Sequence, residues 1–342
     1  MPKVLVLDGL SAEGVELFRK AGIETDVKPP QKPAELAAII NDYDGLIVRS
    51  ATKVTAEALQ DATRLKVIGR AGVGTDNIDK AVATKKGIVV MNTPGGNTIS
   101  TCEHAFALLL ALCRNIPQAH QSMQEGRWDR KKFMGTEVYG KTLGVVGVGR
   151  IGGALAKRAR AFEMRVLAYD PILSALKAES LGVELVSLEE LIAQSDFISI
   201  HAPKSEKTTN MIAAAQFKKM KPNCRIINSA RGGIINEQDL AEALKNKVIA
   251  GAALDVYTSE PFEDSPFIGL ENIITTPHLA ASTDEAQLTV AVDVAQQMVD
   301  FLNTGAIVNA VNVPSLDSET RMTLQPLLYL AERIGLFQSL FV

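Results

Sequence analysis

The chain has 342 residues, enough for about two domains with sizeable cores. It is 46% hydrophobic and 22% charged, with a net charge of -3, so it has neither the composition of a disordered chain nor the basic footprint of a nucleic-acid or anionic-membrane binder. Its three cysteines, Cys102, Cys113 and Cys224, form no CxxC and leave an odd number, which argues against a disulfide framework and fits a reducing cytoplasm.

The opening MPKVLVLDG runs directly into a strand pattern, without the three regions of a signal peptide. No apolar run has the length to cross a bilayer, so the expectation is a protein with no membrane contact. Val4–Leu7 reads as the first strand and SAEGVELFRKAG as a helix closed at Gly22. Leu46–Val48, Val67–Ile68 and Ile88–Met91 read as further strands, separated by the amphipathic pieces PAELAAIINDY and TAEALQDA. Strands alternating with helices predict a parallel sheet covered on both faces, with ligands beyond the carboxyl ends of the strands. Arg49-Ser50-Ala51-Thr52 and Gly69-Arg70-Ala71-Gly72-Val73-Gly74 fall at two such ends and are candidate anion-binding loops. A lone arginine there is equally compatible with a solvated surface charge.

The turn cluster Asn92–Asn97 marks the boundary of a first body. Ser100–Glu103 opens a helix that is apolar nearly all round, as a buried or interface helix would be, and His104 in its first turn reads as packed. The polar stretch that follows carries Arg127, Trp128, Arg130, Lys131 and Lys132. It reads as a solvated loop, or as one that reaches an active site of a partner subunit. Next, TLGVVGVGRIGG (142–153) places Gly147-x-Gly149-x-x-Gly152 between an apolar strand and a helix pattern. A second strand, Arg165–Tyr169, ends at Asp170, about 20 residues on, where a ribose-binding acid belongs. This context, rather than the glycines alone, predicts a dinucleotide site at a helix N-terminus.

The alternation continues through Phe197–Ile200, Cys224–Asn228, Ala250–Leu254 and Ile273–Thr276. Ser229–Arg231, Asp255–Glu260 and His278 stand at the ends of the last three. An alcohol dehydrogenase that uses a nicotinamide needs a base for the hydroxyl proton, a group to tune it and a cation for a substrate carboxylate. A carboxylate beside an imidazole favours the protonated ring and fixes its orientation, which suits Glu260 and His278. Arg231 before Gly232-Gly233 can hold a carboxylate with two parallel hydrogen bonds. From spacing alone each is also compatible with a structural salt bridge or a cap. Residues 284–305 form a long helix pattern expected to return the chain to the first body, which closes with Val308–Pro314. The tail from 315 to 342 is apolar to its last residue, and reads as a surface for a neighbour or as the start of a further region. No cluster suggests a metal.

Gly147-x-Gly149-Arg150-Ile151-Gly152, Ser229-Ala230-Arg231-Gly232-Gly233, Leu254-Asp255-Val256-x-x-x-Glu260-Pro261 and Thr276-Pro277-His278-Leu279 together resemble the D-isomer-specific 2-hydroxyacid dehydrogenase family, in family order over residues 1 to about 314. The resemblance implies two doubly wound parallel-sheet α/β domains: a Rossmann NAD-binding domain (98–283) inserted in a flavodoxin-like substrate domain (1–97 and 284–314), followed by an extension (315–342). It implies Arg231, Glu260 and His278 as the catalytic set. It further implies cofactor contacts from Val73, Gly147, Gly149, Arg150, Ile151, Gly152, Asp170, Ala202, Ser229, Ala230, Arg231, Asp255, His278, Leu279, Ala280 and Ala281. Substrate contacts are implied for Arg49, Ser50, Val73, Gly74, Arg130, Arg231 and His278. NAD is the implied cofactor, the implied assembly is a homodimer or a dimer-based oligomer, and longer members carry regulatory domains past the equivalent of Pro314. The segments around Arg49, Arg70, Asn92 and Trp128 look most like members that oxidise a phosphorylated hydroxy acid. A reductase of unphosphorylated hydroxypyruvate or glyoxylate and an NAD-sensing regulator are the alternatives.

Overall fold

The structure is a computed structural model that describes residues 1–313 and 318–339. The chain divides into two compact units, one of residues 1–97 with 284–342 and one of residues 98–283.

The first unit holds β1 (Lys3–Val6), β2 (Glu24–Val27), β3 (Gly45–Val48), β4 (Val67–Arg70) and β5 (Val89–Asn92), with α1 (Ala12–Lys20), α2 (Pro33–Ile39) and α3 (Lys80–Lys85) between them. All pairings are parallel, in the order β2-β1-β3-β4-β5. The central strands are buried on both faces, which is why they read as unbroken apolar runs. One face carries Leu5, Leu46, Ile68 and Val90 against Leu36, Ile40 and Leu59. The other carries Val4, Ile47, Val67 and Met91 against Phe18, Val294 and Met298. The edge strand β2, ETDV, is polar and half-exposed, as an edge that must resist further pairing tends to be. The opposite edge is covered by the returning chain: the Asn92 N–H donates to the Asn309 carbonyl at 3.2 Å and the Val311 N–H to the Val90 carbonyl at 2.8 Å.

The stretch TAEALQDA departs from the helical reading and forms consecutive turns. Ala58, Leu59 and Ala62 are buried, so the apolar spacing is used. The segment is pinned on its N-terminal side, where Val54 bridges to Ile78, and too few residues remain to propagate a helix.

In the second unit, α4 (Thr98–Arg114) and α5 (Ile116–Gln124) precede β6 (Thr142–Val146), α6 (Arg150–Ala161) and β7 (Arg165–Tyr169). Then come α7 (Ala175–Leu181), β8 (Glu184–Leu185), α8 (Leu188–Gln194), β9 (Phe197–Ile200), α9 (Ala214–Phe217), β10 (Arg225–Asn228), α10 (Glu237–Lys245), β11 (Gly251–Leu254) and β12 (Ile273–Thr275). The order β12-β11-β10-β9-β6-β7-β8 is wholly parallel, with β6 at the point where the chain reverses direction across the sheet. That reversal is where a doubly wound sheet binds its ligand. Ser187 opens α8 with a capping box to Glu190, and Asn236 opens α10 by accepting the Asp239 N–H, so helix starts are written in local sequence.

From the second unit the chain enters α11 (Asp284–Thr304), which packs against α1 and β4 of the first. α12 (Ser318–Ser339) follows; Pro314 and the first residues of the extension, 315–317, lie outside the described residues. No helix among the described residues is long and apolar enough to cross a membrane.

Candidate active site

β6 ends at Val146, and Gly147 turns the chain with φ +88°, a conformation that L side chains rarely adopt. A Cβ on Gly147 would also lie 2.8 Å from the Ala202 nitrogen, so the end of β9 abuts this turn. At Gly152 a Cβ would lie 2.1 Å from the Gly147 carbonyl oxygen, which fixes how closely α6 follows the strand. Gly149 is different: a Cβ there would meet nothing within 4 Å. No neighbour among the described residues requires that glycine. It caps α6 without a side-chain hydrogen bond, with Arg150 exposed beside it and Ile151 half-buried. Open space in front of helix amides suits a pyrophosphate.

Asp170, at the end of β7, accepts the Val148 N–H at 2.8 Å and the Ile172 N–H at 3.0 Å. Across the sheet, Ser229 Oγ is buried with no hydrogen-bond partner among the described residues. A buried hydroxyl without a partner is costly unless something else supplies one. These two observations make the carboxyl edge of the sheet a fit for a dinucleotide.

Arg231, Glu260 and His278 leave β10, β11 and β12, three adjacent parallel strands, at the same edge. His278 Nδ1 lies 2.8 Å from Glu260 Oε2, with both side chains partly exposed. Burial would raise the Glu260 carboxyl, but its bonds to His278 and to the Tyr257 N–H more than offset this and hold it below its ordinary range. The Arg231 turn packs against the Glu260 loop. A Cβ on Gly232 would fall 1.9 Å from the Tyr257 carbonyl, and Glu237 Oε1 accepts both the Thr258 N–H and its hydroxyl. Arg231 itself donates from one guanidinium nitrogen to the Ala230 carbonyl at 2.7 Å.

His278 has φ +55°, and the backbone around it is fastened by Asp255. The His278 N–H donates to the Asp255 carbonyl at 2.9 Å. The Asp255 carboxylate, 0% exposed, accepts the Leu279 N–H at 2.7 Å, the Ala280 N–H at 2.9 Å and the Thr276 hydroxyl at 2.6 Å. A fourth partner, His104 Nε2, is 3.2 Å away. Asp255, Leu279 and Ala280, expected as cofactor contacts, therefore bond to one another. Ala281 follows, partly buried. Tyr257 completes the frame, its hydroxyl reaching the Leu254 and Thr276 carbonyls at 3.0 and 2.9 Å. Burial pushes that phenol up to about 12, so it remains a donor. Sequence reasoning missed the part played by His104 and Thr276. The signal available was weak, a histidine in the second turn of a helix, more than 150 residues upstream.

In the first unit Arg49 follows β3, with its guanidinium half-buried. Desolvation lowers its pKa against the attraction of Asp8, and the group stays a cation. Asp8 at the end of β1, which sequence reasoning passed over, holds the loop by accepting the Arg49 N–H, the Thr52 N–H and the Thr52 hydroxyl at 2.9, 2.9 and 2.5 Å. Asn77 closes it by donating to the Arg49 and Thr52 carbonyls. Arg49 lines a cavity with Gly9, Ser11 and Gln287. Ser50 is exposed and Val73 and Gly74 are partly exposed; Arg70 bends back so that a guanidinium nitrogen donates to the Ala71 carbonyl. Arg130 belongs to the second unit and is exposed.

Comparison with known proteins places this geometry in context. The sequence pattern of the D-isomer specific 2-hydroxyacid dehydrogenase NAD binding domain matches residues 106–280. The chain is 50% identical over 338 residues, 98% of its length, to D-3-phosphoglycerate dehydrogenase of Archaeoglobus fulgidus, and covers 64% of that protein. It is 49% identical over 98% of its length to the enzyme of that name from Synechocystis, covering 60% of it, and 44% identical over 97% to the human one, covering 62%. It thus spans less than two thirds of these relatives. Among solved structures, a Thermus thermophilus protein superposes with a TM-score of 0.83 at 32% identity, covering 90% of this chain and 99% of its own. D-lactate dehydrogenase from Escherichia coli does so with a TM-score of 0.78 at 28% identity over the same shares.

Proposed function

We propose, for a chain that belongs to the D-isomer specific 2-hydroxyacid dehydrogenase family, that it oxidises D-3-phosphoglycerate to 3-phosphohydroxypyruvate with NAD⁺, the entry to L-serine synthesis, as a cytoplasmic homodimer or dimer-based oligomer. The observation that carries the reading is the 2.8 Å bond between His278 Nδ1 and Glu260. With Nδ1–H donated to the carboxylate, the neutral ring presents a bare Nε2, the atom that can take a hydroxyl proton. Glu260 then stabilises the imidazolium that results. Arg231 holds the substrate carboxylate and steadies the carbonyl as it forms. NAD⁺, when bound at Gly147–Gly152, Ala202 and Ser229, supplies the hydride acceptor. Asp170 on the adenosine ribose selects NAD over NADP, since its charge opposes a 2′-phosphate. Arg49, with Ser50, Val73 and Gly74, receives the phosphate, and Arg130 of a second subunit completes that subsite.

Support for the phosphorylated substrate comes from the similarity to the D-3-phosphoglycerate dehydrogenases and from a half-buried cation at a strand end. The test is NADH appearance with D-3-phosphoglycerate against a panel of small D-2-hydroxy acids, with the product removed chemically. Turnover with D-3-phosphoglycerate should exceed that with D-glycerate, and Arg49→Ala should raise KM for the former far more than for the latter. Faster reduction of glyoxylate or hydroxypyruvate, insensitive to Arg49, would replace this reading with a reductase of unphosphorylated acids.

A further inference from the structure

The second unit contains another carboxylate–imidazole pair that the proposed chemistry does not use. Asp255 is 0% exposed, and four donors converge on its two oxygens: two backbone amides, the Thr276 hydroxyl and His104 Nε2. Burial would raise this carboxyl, but His104, Thr276 and the two amides more than offset that and keep it ionised. The same His104 nitrogen is 3.2 Å from Thr276 Oγ1. The Thr276 hydroxyl has one proton, and at 2.6 Å it points that proton at Asp255. Both neighbours of His104 Nε2 are therefore acceptors, so Nε2 carries a hydrogen whether the ring is neutral or charged.

What Asp255 holds is the backbone on which His278 stands. A non-glycine residue at φ +55° is strained and persists only where its surroundings enforce it. The carboxylate enforces it by pulling in the Leu279 and Ala280 amides, while the Asp255 carbonyl takes the His278 N–H. Thr276 is bound twice, by its hydroxyl to Asp255 and by its carbonyl to Tyr257, whose own N–H reaches Glu260 Oε1 at 3.0 Å. One buried carboxylate thus sets the backbone of the base, and the Tyr257 frame beside it holds the acid. α4 supplies the only side-chain nitrogen on it among the described residues.

We propose that His104 is a positioning residue: by donating Nε2–H to Asp255 and Thr276 it holds the buried carboxylate in the orientation that folds the 276–280 turn and keeps His278 against Glu260. This rests on His278 being the acid/base, so wild type and His278→Ala are measured first. If they turn over the substrate equally, that reading fails on its own terms, whatever His104 does.

The experiment compares His104→Phe, which fills the space without a donor, with His104→Gln, whose amide can donate at similar reach. Turnover is assayed with the D-2-hydroxy acid that the wild type uses best. NADH affinity is read by fluorescence and the 260–278 geometry by crystallography of the protein without ligands. In His104→Phe we expect kcat to fall about tenfold or more, because small misplacements of a reacting group cost that much. NADH affinity should weaken less than kcat falls, and the His278 to Glu260 contact should open beyond hydrogen-bonding distance. His104→Gln should recover most of kcat and the contact. A His104→Phe enzyme with kcat within twofold of wild type, or with an unmoved His278, overturns the proposal. So does equal loss in both variants. If His104→Phe does not fold, Thr276→Val removes one donor from the same carboxylate without changing its shape. It should lower kcat severalfold, more than it weakens NADH binding, and an unchanged kcat overturns the proposal.

Discussion

Asp255 with His104, and Glu260 with His278, join the same two functional groups in one unit, yet they differ in what surrounds them. In the first pair the side chains are 0% and 21% exposed, and the carboxylate has four donors. In the second they are 37% and 45% exposed, and the carboxylate has two, the ring and the Tyr257 amide. A buried carboxylate with four partners, three of them on Oδ1, cannot lose one without leaving a buried group unsatisfied. One with spare valence beside solvent can gain or lose charge on its neighbour at little structural cost. Burial and donor count, rather than residue type, separate a pair that holds a turn from a pair that can move a proton.

The largest effect should come from the exposed pair. His278→Gln is expected to lower kcat by about 10²- to 10⁴-fold, the usual contribution of a general base. Its melting temperature should stay near that of the wild type, since the ring is 45% exposed and makes one hydrogen bond. Steady-state kinetics and a thermal melt on the same sample check both halves. A large loss of stability with modest loss of rate would reverse the assignment of roles.

The buried pair should respond in the opposite sense. Asp255→Leu leaves the Leu279 and Ala280 amides and the Thr276 hydroxyl without their acceptor, which costs about 3–5 kcal/mol by analogy with breaking a buried charged pair. Urea unfolding at pH 7 should show that loss, and activity should fall with the altered turn. An Asp255→Leu protein as stable as the wild type would mean that water or a rearranged side chain replaces the carboxylate.

How far this was readable beforehand differs along the same line. Glu260 and His278 follow strand ends within 20 residues of each other, each beside a proline, and the motif carried them. Asp255 was visible as a strand-end acid, but its partner His104 comes from the second turn of α4, and no local rule links that turn to a strand end 151 residues later. The central strands announced themselves because both faces are buried, whereas β2 and β8 escaped notice as short polar or mixed edge strands. TAEALQDA misled because an apolar spacing of one turn cannot tell a helix from a packed series of turns.

His201 offers an imidazole with no acidic partner among the described residues, and so sharpens the contrast. Its ring nitrogen lies 2.8 Å from Ser199 Oγ at the end of β9, and burial lowers its pKa to about 4. Between that value and an unfolded value of about 6.5, the unfolded chain binds a proton that the folded chain refuses. Stability contributed by this site therefore falls as pH drops below about 6.5, by about 2 kcal/mol between pH 7 and pH 5. His201→Gln should unfold in urea with that portion of the pH dependence removed. A variant whose stability falls as steeply as the wild type would assign the slope to other groups.

The smallest effect tests whether one carboxylate can serve both purposes. Like Asp255, Asp170 accepts two backbone amides, Val148 and Ile172, and so shapes the glycine turn. Unlike Asp255 it is only partly buried, and its oxygens have directions left for ribose hydroxyls. If it does both, Asp170→Ser should weaken NAD⁺ binding and relax the preference over NADP⁺ by roughly tenfold, about 1.4 kcal/mol. The ratio of kcat/KM for the two cofactors reads the discrimination, while a thermal melt reads the turn. A lower melting temperature with an unchanged ratio would place Asp170 with Asp255 as a residue that only holds backbone. A changed ratio with an unchanged melt would place it with Glu260, and show that two amide bonds at a half-exposed acid do not commit it to structure.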